Sequence, residues 1–64
     1  MSAAFCFQQL DALKACNSLS NARALVRAVV HTCPDFETFL SEPDAGLLRG
    51  AVRLVEREGV GTTR

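Results

Sequence analysis

The chain has 64 residues, with seven basic and seven acidic side chains and therefore no net charge. That length allows one small domain and leaves little room for a deep substrate cleft with its own supporting shell. Hydrophobic residues make up 48% of the chain, too many for a disordered segment, so a folded, soluble, compact unit is expected.

The pattern is helical from end to end, without repeats, low-complexity blocks or long linkers. Ser2 is placed to cap a first helix over 2–16, in which Cys6, Leu10, Leu13 and Cys16 recur at steps of four, three and three. The polar cluster Asn17, Ser18, Ser20 and Asn21 breaks that pattern and offers the next cap. A second helix is expected over 21–32. Ala22, Leu25, Val26, Val29, Val30 and Cys33 form one continuous apolar face, while Arg23, Arg27 and His31 step along a different one. Its three valines lower intrinsic propensity, so packing has to hold this helix.

Pro34 ends the second helix, because the residue before proline is pushed out of the α region. Thr32 and Asp35 then make a T-x-x-D start for a short third helix over 34–41, with Phe36, Phe39 and Leu40 on its inner face. Ser41 and Asp44 repeat that signature around Pro43 and open a fourth helix over 44–58. It is expected to stop at Gly59-Val60-Gly61, where glycine supplies the left-handed terminal geometry, leaving a frayed tail over 60–64. The expected architecture is all-α, a single domain over 1–64. It reads as three main helices and one short connecting helix, packed as a small bundle or a short helical-repeat fragment.

A domain below about 70 residues usually needs a staple or a partner. Cys6, Cys16 and Cys33 are an odd set with no C-x-x-C pair, which is not the framework of a secreted mini-domain. The first basic residue is Lys14 and the longest apolar run is Ala3 to Phe7, which fits neither a signal peptide nor a membrane span of roughly 20 residues. A reducing compartment is expected, cytoplasmic or nuclear.

With His31 the cysteines supply zinc-type ligands, yet only His31 and Cys33 are close in sequence, and residues two apart on a helix point to separate faces. The cysteines fall on the apolar stripes and read as small core hydrophobes. His31 lacks a neighbouring nucleophile and an orienting acid. Asp35, Glu37, Glu42 and Asp44 lie at helix starts, where negative charge complements the helix dipole. Gly59-x-Gly61 closes a helix instead of opening one, so it does not read as a phosphate loop. A non-enzymatic protein is expected, with no cofactor, metal or small-molecule substrate.

Two features point to association. Phe5-Cys6-Phe7 follows Ala3-Ala4, and successive helix residues lie about 100° apart, so these side chains spread over more than one stripe. Gly46 and Gly50 form a G-x-x-x-G strip where another helix can approach closely. Phe5, Phe7, Leu10, Gly46 and Gly50 are the expected contact residues of a protein–protein interaction or assembly module. Such a module completes its core by binding a partner or itself. The alternative is an RNA or polyanion binder using Arg49, Arg53 and Arg57, a row spanning about 12 Å of helix. Against it, Glu56 and Glu58 adjoin that row and no aromatic lies among the arginines to stack on bases.

The stretch from Ala22 to Glu58, a Val/Leu helix, a short helix after Pro34 and a Leu/Val helix, resembles in outline the opening helical repeats of PCI-type subunits. That resemblance covers just over half the chain and carries no diagnostic motif, so it assigns no family; it implies a helical subunit of something larger. The neutral total conceals +2 on residues 1–32 and −2 on residues 33–64.

Overall fold

The computed structural model of the chain describes residues 3–62. In chain order these form α1 (Ala3–Ala15), α2 (Leu19–Thr32), a single 3₁₀ turn (Phe36–Phe39) and α3 (Asp44–Thr62), with no strand among the described residues. The Ser2 cap expected from the sequence lies outside the described residues.

In α1 the buried side chains are Cys6, Leu10 and Leu13, one stripe at helical spacing. Cys16 does not continue it: α1 ends at Ala15, and Cys16, whose N–H makes the last helical bond to the Ala12 carbonyl at 2.9 Å, is exposed. The end of α1 is closed from outside. Asn21 donates its side-chain amide to the Cys16 carbonyl (2.8 Å), one of the groups a terminating helix leaves without an intrahelical partner, and to the Ala12 carbonyl (3.2 Å), which also accepts from the Cys16 N–H at 2.9 Å. Ser18, not Asn21, is the N-cap of α2, and its Oγ accepts from the Asn21 backbone N–H at 3.2 Å. The second helix thus starts two residues earlier than its apolar pattern suggests. Asn21 joins both ends of this corner, so Asn21→Ala is expected to cost about 1 kcal/mol. Urea denaturation should show a lower midpoint with an unchanged slope, whereas the neighbouring Ser20→Ala should stay within about 0.5 kcal/mol of the parent.

The helix α2 is central. It packs against α1 on one flank and α3 on the other, while the backbones of α1 and α3 approach each other little. A helix covered on two flanks buries a wider arc than one stripe. Ala22, Leu25, Ala28 and Val29 are buried and Val26 is half-buried, but Val30 is 60% exposed. The expected face is therefore rotated: Ala28 turns in toward α1 and Val30 turns out beyond the edge of α3.

After Pro34 the chain makes one 3₁₀ turn, shorter than the α-helix expected over 34–41. Its bonds run three residues back, Thr38 N–H to the Asp35 carbonyl at 3.0 Å and Leu40 N–H to that of Glu37 at 3.1 Å. One turn sets one large side chain inward. Phe36 is fully buried, Leu40 is half-buried and Phe39 is 60% exposed. Thr32 does not start this turn. Still within α2, its hydroxyl donates to the Ala28 carbonyl at 2.6 Å, the back-bonding open to a threonine inside a helix.

In α3, Ala45, Leu48 and Ala51 are buried, and all but Ala45 join the α1 and α2 residues and Phe36 in one contiguous core. The helix does not stop at Gly59 but runs through both glycines to Thr62. Glycine permits a left-handed end without enforcing one, and no proline follows to block the helix. Of the tail expected over 60–64, residues 60–62 are helical and the last two lie outside the described residues. No helix among the described residues is long and apolar enough to cross a membrane.

Candidate interaction surfaces

Phe5 and Phe7 lie on α1 outside its buried stripe, with 48% and 41% of their surface exposed. They differ in what they touch. Phe7 and Phe36 pack edge-to-face, with centroids 4.9 Å apart and planes at 75°, an arrangement that aromatic quadrupoles favour. Phe5 lines a shallow depression between α1 and α2, with Ala24, Ala28 and Thr32 on the other wall. Leu10 is not a surface residue: at 1% exposure it belongs to the core, because it lies on the same stripe as Cys6 and Leu13.

Gly46 and Gly50 line an open groove of about 500 Å³ between the end of α1 and the outer side of α3, with Leu13, Leu47 and Leu54 as its main apolar lining. A Cβ on Gly50 would meet nothing within 4 Å, whereas one on Gly46 would come 3.0 Å from Glu42 Oε1, the tip of a flexible side chain. Neither glycine is required by packing within the chain. Gly50 leaves the α3 backbone open to an approaching segment, whereas the Glu42 and Arg49 side chains lie over Gly46.

The arginine row on α3 is divided. Arg49 donates to Glu37 Oε2 and Glu42 Oε2, both at 2.9 Å, and these bonds hold its guanidinium pKa above the ordinary value, the Glu42 bond contributing most. Glu37 of the 3₁₀ turn and Glu42 just before α3 thus neutralise the first cation of the row, while Arg53 and Arg57, equally exposed, have no ion-pair partner among the described residues. A further surface pair, Lys14 with Asp44 at 3.0 Å, links the end of α1 to the start of α3. Such exposed pairs contribute at most about 1 kcal/mol each, so they align elements and do not hold the fold.

The three cysteines have three environments. Cys6 is fully buried with its Sγ 3.2 Å from the Thr32 hydroxyl, Cys16 is exposed, and Cys33 is half-buried at the end of α2. Only Cys6 is the small core hydrophobe expected of all three. The Cys33 thiol is pushed above its usual pKa by burial first, then by the charge of Asp35, the bond it donates to Asp35 Oδ1 (3.7 Å) and the nearby Cys6. A raised thiol pKa means less thiolate and lower nucleophilicity at neutral pH. No cluster of three metal-ligating side chains occurs among the described residues.

One surface was only half legible in the sequence. Arg23, Arg27 and His31 run along the outward side of α2, all exposed, and shallow depressions lie on both flanks of this ridge. Phe5 borders the depression on the α1 side; Val30 and Val55 border the one on the α3 side. The sequence showed the cationic row, but it placed Val30 in the core. The apolar flank therefore became visible only once α3 was in position.

No protein-family model matches this chain, and no curated protein or solved structure matches it either. The outline resemblance to PCI-type subunits thus gains no support from these comparisons.

Proposed function

We propose that this chain is a non-enzymatic helical interaction module, an assembly subunit or adaptor that covers its remaining apolar surface by binding another protein or a second copy of itself. The observation that supports this reading is the set of large hydrophobic side chains left outside so small a core: Phe5, Phe7, Val30 and Phe39, each between 41% and 60% exposed. Scattered single apolar residues are normal on a protein surface. The four found among the described residues, together with the separate apolar-lined groove at Gly46 and Gly50, are surface that a partner can cover.

Sedimentation across a wide concentration range, paired with thermal melts, tests this. The parent chain is expected to show a mass or a Tm that rises with concentration, as mass action requires of an associating fold. Phe5→Ser should remove that dependence while the monomer keeps its helical signal, since Phe5 lies outside the core. Adding Phe7→Ser also removes the ring-edge contact with Phe36, at a further cost of about 0.5–1.5 kcal/mol. A monomer with a Tm above about 65 °C that does not move with concentration overturns the reading.

A further inference from the structure

We infer that the outward face of α2 is a docking site for an acidic amphipathic helix of another protein; this rests on reading the chain as an interaction module and names the chemistry of its partner. Arg23, Arg27 and His31 succeed one another at four-residue steps, a ridge about 12 Å long. Among the described residues neither arginine has an ion-pair partner, in contrast to Arg49 and Lys14. No acidic side chain lines the depressions on either flank of the ridge. The uncompensated charge is thus positive and local on a chain whose total is zero.

Charge complementarity calls for carboxylates opposite the ridge, and the apolar flanks call for more. Phe5 on one side and Val30 with Val55 on the other require a partner whose acidic row is bordered by apolar rows on both sides. An extended strand presents one row of side chains to a surface. A helix presents adjacent rows, and residues four apart repeat about every 6 Å along its axis, the spacing of the ridge.

A second copy docked symmetrically through this face would set arginine against arginine, which is repulsive. Single-stranded RNA would find phosphate partners in the arginines, but flanks of valine and alanine give its bases no stacking platform beyond Phe5.

The test uses the full chain and a helical peptide of about 18 residues, long enough to hold helix. It carries Glu at every fourth position and Leu in the two adjoining rows. Fluorescence anisotropy is expected to show saturable binding, weakened about tenfold by Arg23→Ala with Arg27→Ala together, and by a similar factor when the peptide's Glu are replaced by Gln. A peptide with Ser in place of Leu should bind more weakly still. The pair Arg53→Ala and Arg57→Ala, on the other helix, should leave the affinity unchanged. Circular dichroism of the α2 variant checks that it remains folded, as expected for exposed positions where alanine favours helix.

Absent binding, or binding indifferent to Arg23 and Arg27, overturns the inference. So does oligouridylate binding more tightly than the peptide through the same arginines, which would make the face a nucleic-acid site. If the peptide fails while association of the parent chain still depends on Phe5, only the acidic partner falls. A stable, concentration-independent monomer that also ignores the peptide removes the interaction reading as well.

Discussion

Phe36→Ala is expected to remove about 3–5 kcal/mol of stability, the usual range for emptying a buried phenylalanine site. A chain of this length has roughly 3–10 kcal/mol to lose, so the variant should be largely unfolded or close to it at room temperature. The size of the effect follows from position. Phe36 is fully buried, belongs to the 3₁₀ turn between α2 and α3, and packs edge-to-face with the Phe7 ring at a centroid distance of 4.9 Å. The cavity would open where all three helices depend on one ring, since Phe36 shares the core with Cys6 and Leu10 of α1, Leu25 of α2 and Leu48 of α3. Phe39→Ala, three residues on and 60% exposed, should change stability by no more than about 0.5 kcal/mol. Urea denaturation followed by circular dichroism separates the two. Equal midpoints for both variants would mean that Phe36 does not anchor the core.

The second large effect is at Leu10. Loss of a buried leucine side chain costs about 2–5 kcal/mol, so Leu10→Ala should lower the unfolding midpoint sharply even under conditions where the chain is monomeric. Leu10→Met, which nearly conserves volume, should cost less than about 1.5 kcal/mol. This pair distinguishes a core residue from a contact residue. A Leu10→Ala monomer as stable as the parent, but impaired in association, would restore Leu10 to the partner surface where its N-terminal neighbours first placed it. At 1% exposure it has no surface with which to reach a partner.

These two positions show what was legible in the sequence. The periodic stripes of α1 and α2 identify Cys6, Leu13, Ala22, Leu25 and Val29 as inward positions, and the core contains them. The polar corner at residues 17–21 marks the break between two helices correctly, although the two cap-forming roles fall differently: Ser18 caps α2 while Asn21 reaches back to close α1. Leu10 was misplaced because it follows an apolar N-terminal run that looks like exposed surface, although its own spacing matches the stripe. Arg49, offered only in the alternative polyanion-binding row, has its charge met within the fold. Its row is real, but Glu37 and Glu42 come from outside α3 and arrive only when the 3₁₀ turn folds against it.

Local pattern alone was enough to show an all-helical chain, the positions of its three long helices to within a few residues, and most of the inward stripe of α1 and α2. Those are consequences of a 3.6-residue period, which is a local property. Only the tertiary structure decided that α2 lies between α1 and α3, that Val30 faces out and Ala28 in, and that the cationic ridge of α2 has apolar depressions on both flanks. A helix's own period fixes which residues share a face. How wide an arc is covered depends on neighbours distant in sequence, and in a core this small each helix leaves part of its apolar arc in solvent.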